Sequence, residues 1–128
     1  MDETLEKVKI FLKERNWDSL RPSDVAKSIS IEAAELLENF QWESLTVEET
    51  KQNPERLERV KKEVADVLIY TLEMCSLLGL DPKKLVEEKL DHNSKKYPAE
   101  LMKARGADVK HTSEDPYFKI KEEWRKGR

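Results

Sequence analysis

Residues 54–80 read PERLERVKKEVADVLIYTLEMCSLLGL, and this stretch decides the fold. It begins with Asn53-Pro54, an N-cap residue followed by proline at the first helical position, and Gly79 marks the stop. The sequence therefore predicts a helix over 54–78. From Val64 to Leu78 this helix is apolar on nearly all sides, so it is buried on most sides. Because one small chain cannot easily surround it, we expect a second copy of the chain to cover the remainder.

Similar combinations of an N-cap residue and a proline mark the starts of other helices. Proline follows or accompanies an N-cap residue at Pro22, at Asp81-Pro82 and at Asp115-Pro116. These signals predict further helices over about 2–16, 23–41, 82–97 and 116–126, with a loop over 106–114. No segment shows the alternation of apolar and polar residues that is typical of a strand. The predicted fold class is all-α.

The composition excludes several classes of protein. Charged residues make up 40% of the 128 residues, with only three glycines and five prolines, which excludes collagen-like and low-complexity chains and disfavours an all-β fold. The net charge of −3 indicates no nucleic-acid partner, and the single cysteine suits a reducing compartment. With no signal-peptide pattern and no stretch long enough to span a bilayer, we expect a cytoplasmic protein without a membrane partner.

Four carboxylates on two helices break the amphipathic pattern. Each residue of a helix turns about 100°. By that projection Glu32 lies within the apolar stripe of helix 23–41 and Glu35 lies along its edge, whereas Glu38 points to solvent. On helix 54–78, Glu63 borders the stripe and Asp66 lies slightly further round. Buried salt bridges would account for such residues, and so would a cluster of hard oxygen ligands that suits Mg²⁺ or Mn²⁺.

Helix 82–97 carries the complementary charges. Asn93 lies in the middle of its apolar stripe, and Lys89 and Lys96 flank it. These residues either form structural salt bridges and a satisfied buried amide, or hold phosphate oxygens opposite a metal. The only histidines are His92 and His111, which disfavours zinc and di-iron sites. The absence of a phosphate-binding glycine loop excludes kinases, P-loop NTPases and dinucleotide-binding enzymes.

Three ordered motifs resemble those of the MazG-like all-α nucleoside triphosphate pyrophosphatases, especially the small dCTP pyrophosphatase branch. They are IEAAEL at 31–36 running to FQW at 40–42, EVADVLIY at 63–70, and KLDHNSKKYP at 89–98. The resemblance implies a four-helix-bundle-like fold that is completed by oligomerisation, as a homodimer or homotetramer. The resemblance covers about residues 5–98, and we expect a catalytic domain over 1–105. The C-terminal piece has no counterpart in the resemblance, and we expect its loop and short helix, over 106–128, to pack on the same domain or on the partner subunit.

The resemblance also implies an activity. It is the Mg²⁺-dependent hydrolysis of a (deoxy)nucleoside triphosphate to the monophosphate and pyrophosphate, in nucleotide-pool sanitation, with Mn²⁺ as a substitute metal. The implied metal ligands are Glu32, Glu35, Glu63 and Asp66, and Glu35 and Glu32 are the catalytic candidates that would accept a proton from water. The implied substrate contacts are Lys89 and Lys96 to the phosphates, Asn93 and Tyr70 near the sugar or phosphates, and Trp17 and Trp42 near the base.

One residue departs from the family pattern, so the sequence does not determine which base the nucleotide substrate carries. Val8 stands nine positions before Trp17, where relatives that act on dCTP carry a histidine. A dUTP pyrophosphatase and a phosphoribosyl-ATP pyrophosphohydrolase are the alternatives within the superfamily. The alternative outside it is a non-catalytic, dimeric helical interaction module, although such a module has no reason to direct four acids to its interior.

Overall fold

The structure, a computed structural model, describes residues 2–104 and 115–127. Within these ranges the regular secondary structure consists of helices alone, which confirms the predicted all-α class. The helices are α1 (Asp2–Glu14), α2 (Pro22–Glu38), α3 (Val47–Lys51), α4 (Pro54–Leu78), α5 (Pro82–Lys96), α6 (Ala99–Ala104) and α7 (Pro116–Lys126). Among them, no candidate for crossing a membrane is found.

The chain divides into two compact units, Met1–Pro82 and Lys83–Arg128. In the first unit, α4 is the central element: it packs most extensively against α2 and also contacts α1 and α3. The most deeply buried apolar residues of this unit come from all three longer helices: Leu12, Val25, Leu72 and Cys75. The pairing of α2 with α4 is what brings the predicted acidic residues of the two helices together.

Helix α4 has the bounds that the sequence predicts. The Asn53 side chain accepts a hydrogen bond from the Arg56 N–H at 3.1 Å, which satisfies a donor of the first turn. Gly79 adopts a left-handed conformation with φ of 65°, the backbone geometry that glycine tolerates best. Both ends are therefore determined by local chemistry that can be read directly from the sequence.

Helices α1 and α2 end earlier than the predicted residues 16 and 41. The chain leaves α1 through Asn16, whose φ is 56°, and the Trp17 N–H then donates to the Leu12 carbonyl at 2.9 Å. Asparagine is one of the few non-glycine residues that tolerate this conformation. Helix α2 ends at Glu38 because the Asn39 side-chain amide donates to carbonyls of the last turn, at 3.3 and 3.4 Å.

Two short helices are absent from the sequence prediction. Helix α3 starts at a capped turn, where Thr46 Oγ1 accepts from the Glu49 N–H at 3.1 Å and donates to the Glu49 carboxylate. Helix α6 follows Pro98. Each has fewer than seven residues, too few for an amphipathic period to emerge from the sequence.

The second unit is held together by aromatic side chains. Tyr97, after the end of α5, stacks on Tyr117 of α7 with ring centroids 5.0 Å apart, and His92 meets Trp124 edge-to-face at 5.0 Å. Helix α7 has the predicted bounds and begins at Asp115, whose side chain accepts from the Tyr117 N–H at 3.0 Å. The predicted loop over 106–114 lies outside the described residues.

Candidate metal and phosphate site

Helices α2 and α4 bring the four predicted acids together. Glu32 and Glu35 are one turn apart on α2, and Glu63 and Asp66 are one turn apart on α4. One carboxylate oxygen from each of Glu32, Glu63 and Asp66 lies within 4.8 Å of the others. Glu35 influences the pKa values of both Glu32 and Glu63, so its carboxyl group belongs to the same cluster. These four residues are called the acidic cluster below.

The acidic cluster is electrostatically strained. The pKa of Glu32 is raised from 4.5 to about 7, chiefly by partial burial and then by a hydrogen bond with Glu35 and the charges of Glu35 and Asp66. Partial burial also raises the pKa of Glu63, with the charge of Glu35 as the next largest cause. Like charges that are crowded away from water favour protonation because the ionised forms repel one another. A divalent cation removes this repulsion.

The acidic cluster has unused ligand capacity. Atom Oε2 of Glu32 and Oε2 of Glu63 are buried and have no hydrogen-bond partner in the part of the chain that the structure describes. Neither residue forms an ion pair with a described lysine or arginine. Buried carboxylate oxygens without partners are costly unless they bind a cation. The donor set consists of carboxylates alone, which suits Mg²⁺ or Mn²⁺, and the residues therefore fit the metal that the sequence implies.

A cavity of about 280 Å³ opens beside the acidic cluster. It is lined by Glu35, Glu38, Asn39, Arg56, Arg59 and Glu63. Glu38 is exposed, as the helical projection predicts. It also lines the same cavity as the two cluster glutamates, because the last turn of α2 forms part of the cavity wall.

Arg56 and Arg59 are functional candidates that the sequence analysis missed. With Glu63 and Asp66 they are spaced at i, i+3, i+7 and i+10 along α4, so all four lie on one helix face. This spacing was visible in the sequence. Only Glu63 and Asp66, however, stand out as charged residues beside the apolar stripe of α4. Arginines are common near the start of a helix, so only the cavity that they line marks Arg56 and Arg59 as functional candidates.

Tyr70 lies next to the acidic cluster, as expected. Burial raises the pKa of its hydroxyl, and the charge of Glu32 is the next largest cause, followed by those of Glu73, Asp66 and Glu35. Glu73, one turn further along α4, is 2% exposed, and its Oε1 has no hydrogen-bond partner among the described residues. Burial raises the pKa of Glu73 as well.

The two tryptophans of the first unit are accessible. Trp17 is 48% exposed and meets Phe11 edge-to-face with ring centroids 6.0 Å apart. Trp42 is 86% exposed and lines a second cavity, of about 490 Å³, formed by the segment 40–45. An exposed indole is available for stacking on a base. The assignment of both residues to base binding stays a prediction.

The three residues predicted on α5 belong to the second unit. Asn93 and Lys96 are half-buried, and Lys89 is exposed. Lys96 Nζ lies 5.2 Å from the ring centroid of Tyr97 and 5.8 Å from that of Trp124, both within the range of cation–π attraction. Tyr97 and Trp124 of α7 thus lie against one of the predicted phosphate ligands, and the role of all three α5 residues stays a prediction.

Comparison with known proteins identifies the family. The MazG-like family profile matches residues 27–111, which include both pairs of acids and the whole of α5. The chain belongs to the MazG-like family. This confirms the resemblance that the three sequence motifs carry.

Two dCTP pyrophosphatases are similar to the chain. It is 32% identical over 105 residues to dCTP pyrophosphatase 1 of Rattus norvegicus, covering 80% of this chain and 60% of the relative. It is 33% identical over 116 residues to dCTP pyrophosphatase 1 of Homo sapiens, covering 88% of this chain and 66% of the relative. The MazG-like chain thus spans less than two thirds of the length of these relatives.

A solved structure gives the same result. The crystal structure of a pyrophosphatase from Archaeoglobus fulgidus superposes with a TM-score of 0.67 and 41% sequence identity. The match covers 77% of this chain and 92% of that protein. At this identity the likeness extends to sequence as well as fold, and it agrees with membership of the MazG-like family.

Proposed function

We propose that this MazG-like protein is a nucleoside triphosphate pyrophosphohydrolase that converts a (deoxy)nucleoside triphosphate to the monophosphate and pyrophosphate. The observation that carries the proposal is the acidic cluster on α2 and α4, with two buried carboxylate oxygens that have no partner among the described residues. The names of the dCTP pyrophosphatases and of the archaeal pyrophosphatase support the same reaction class.

Glu32, Glu35, Glu63 and Asp66 would hold the metal, for which we propose Mg²⁺ with Mn²⁺ as a substitute. The bound cation would neutralise triphosphate charge and make water more acidic. The chain supplies the rest of the chemistry. Each of the two helices holds a pair of these carboxylates one turn apart, and partial burial limits the access of bulk water to all four.

Glu35 and Glu32 are the proposed proton acceptors. A water oxygen attacks the α-phosphorus, and one of these carboxylates takes the proton that water loses. The bond from the α-phosphorus to the bridging oxygen breaks, and its electron pair leaves with pyrophosphate.

The remaining proposed contacts follow the sequence motifs. Tyr70, close to the acidic cluster, and Asn93 would contact the sugar or phosphates, while Lys89 and Lys96 would contact the phosphates. Trp17 and Trp42 would contact the base. For the substrate we propose dCTP or a modified deoxynucleotide, as the names of the relatives suggest. We propose that residues 1–105 form the catalytic domain and that residues 106–128 form its C-terminal extension. The proposed location is the cytoplasm.

We also propose that the protein is a homodimer or homotetramer. Val64, Leu68 and Leu78 of α4 are 40%, 52% and 53% exposed, although they belong to the most apolar stretch of the sequence. Ile31 and Leu37 of α2 are each 58% exposed. Apolar side chains concentrated on two adjacent helices mark an association surface, and a second copy of the same chain is the simplest partner.

A substrate panel tests the proposed function. Purified protein is incubated with canonical and modified nucleoside triphosphates and Mg²⁺, and the products are separated by ion-exchange chromatography. We expect monophosphate and pyrophosphate from at least one deoxynucleotide, and no reaction in EDTA. The release of orthophosphate first, or no hydrolysis of any nucleotide, would exclude the proposal. A preference for dUTP or phosphoribosyl-ATP would keep the reaction and change the substrate.

A further inference from the structure

We infer that Arg56 and Arg59 form an anion subsite, adjoining the acidic cluster, that holds the pyrophosphate portion of the nucleotide. The inference rests on the proposed function, which it deepens by assigning residues to the leaving group. Both arginines line the cavity of about 280 Å³, together with Glu35 and Glu63 of the acidic cluster. The subsite and the cluster therefore share one opening between α2 and α4.

The two guanidinium groups keep unused donors. Arg59 donates from Nε to Asn39 Oδ1 at 3.4 Å and forms no ion pair with a carboxylate in the described ranges. Arg56 pairs with Glu43 at 3.3 Å through Nη2, while its Nε is buried and has no acceptor among the described residues. An arginine that served only to neutralise the cavity glutamates would pair with them, and neither one does so within 4.0 Å.

The chemistry of the leaving group matches these donors. When the bond to the α-phosphorus breaks, its electron pair leaves with pyrophosphate, so negative charge accumulates on that group. A guanidinium presents N–H donors in a planar fork that matches two phosphate oxygens and binds them with charge-assisted hydrogen bonds. Stabilising charge that develops during the reaction is the largest single source of catalysis in many enzymes.

The sequence of charged residues along α4 indicates the direction in which the triphosphate would lie. Arg56 and Arg59 lie toward the N-terminus of α4, and Glu63 and Asp66 follow on the same face one and two turns later. An α-phosphate at the acidic cluster would therefore have its β- and γ-phosphates directed toward the arginines. Asn39 fixes this end of the cavity, because its amide nitrogen caps α2 and its oxygen accepts from Arg59.

The subsite should depend on the metal. Its cavity is lined by three glutamates and two arginines, so an anion is repelled until the carboxylates are neutralised. We therefore expect inorganic pyrophosphate to bind with Mg²⁺ present and to bind far more weakly in EDTA. This dependence distinguishes a substrate subsite from a general anion-binding surface.

Isothermal titration with sodium pyrophosphate in the presence of Mg²⁺ tests the inference. We expect Arg59→Gln to weaken binding by about tenfold, and Arg59→Lys, which keeps the charge but loses the fork, to weaken it by about threefold. The matched control is Lys62→Gln, which removes a positive charge from an exposed position of α4 outside the cavity lining and should leave affinity unchanged. Unchanged pyrophosphate affinity in folded Arg59→Gln would overturn the inference; if that variant does not fold, unchanged affinity in Arg59→Lys would do so.

Parallel assays separate this inference from the proposed function. Affinity for Mg²⁺ alone should be the same in wild type and Arg59→Gln, because the acidic cluster is intact. In nucleotide hydrolysis, Arg59→Gln should raise the inhibition constant of pyrophosphate by the same factor as its dissociation constant. Wild-type protein that hydrolyses no nucleotide refutes the proposed function. Wild-type protein that hydrolyses nucleotides, with an Arg59→Gln variant equally inhibited by pyrophosphate, refutes the subsite alone.

Discussion

Glu63 carries a charge that the described part of the chain does not neutralise. The sequence left two interpretations of this residue open, a buried salt bridge or a metal ligand. Its Oε2 is buried without a partner, and burial together with the charge of Glu35 raises its pKa. A salt bridge would lower the pKa of a carboxyl group and occupy its oxygens. The structure therefore favours the metal-ligand interpretation.

Replacing Glu63 with glutamine tests that interpretation. The change keeps the shape of the side chain but removes one of the mutually repelling charges. We expect Glu63→Gln to lose turnover by roughly two orders of magnitude or more, while the metal-free protein melts at the same or a higher temperature. Hydrolysis assays and thermal melts in EDTA measure the two effects.

Glu58→Gln is the control for this substitution. Glu58 lies on the same helix, is exposed and pairs with Lys61 at 2.9 Å, which lowers its pKa. Turnover should remain as in wild type, since this residue lies outside the cavity and the acidic cluster. A marked fall in the metal-free melting temperature of Glu63→Gln, with hydrolysis retained, would show that Glu63 is structural.

The raised pKa of Glu32 predicts how stability and metal affinity depend on pH. Its ordinary value is 4.5 and its folded value is about 7, so the folded state binds the proton more tightly than the unfolded state. The contribution of Glu32 to stability without metal therefore falls as pH rises from about 4.5 to about 7. Mg²⁺ must displace this proton, so its affinity should increase over the same range.

Titration of Mg²⁺ at a series of pH values, with metal-free melts in parallel, measures both trends. In Glu32→Gln this contribution to the pH dependence of the metal-free melting temperature should disappear. A wild-type affinity for Mg²⁺ that is constant between pH 4.5 and 7 would contradict the assigned role of Glu32.

At the level of helices, the sequence predicted a helix end correctly where the residues at that end constrain the backbone by themselves. Helix α4 was predicted from end to end because Asn53-Pro54 and Gly79 constrain the backbone by themselves. The ends of α1 and α2 depend on asparagines, which also occur within helices, so the sequence did not distinguish them. Arg56 and Arg59 escaped prediction for a related reason. Their meaning depends on a cavity that exists only when α2 packs on α4.

The cap of α4 makes a measurable contribution to the folded state. Asn53→Ala removes the acceptor for the Arg56 N–H, and losing such a cap destabilises a protein by about 1 kcal/mol. We expect that decrease in the free energy of unfolding, measured by urea denaturation. Gln52→Ala, at the preceding position, is the control and should change stability by only a few tenths of a kcal/mol. Equal stability of Asn53→Ala and wild type would show that water replaces the cap without cost.

For the whole molecule, the exposed apolar residues of α4 predict self-association. Light scattering coupled to size-exclusion chromatography should give a dimer or tetramer at micromolar concentration. Leu68→Lys, which places a charge at a position 52% exposed in the single chain, should shift the protein toward the monomer. A wild-type protein that is monomeric and active would contradict the proposed assembly.

The central claim is that water attacks the α-phosphorus of a nucleoside triphosphate at the acidic cluster. Hydrolysis in water enriched in heavy oxygen, followed by phosphorus NMR of the products, tests it most directly because the isotope marks the phosphorus that was attacked. The account predicts that the label enters the nucleoside monophosphate, that pyrophosphate is unlabelled, and that Glu63→Gln forms neither product at an appreciable rate. Label in pyrophosphate or in orthophosphate would contradict the account.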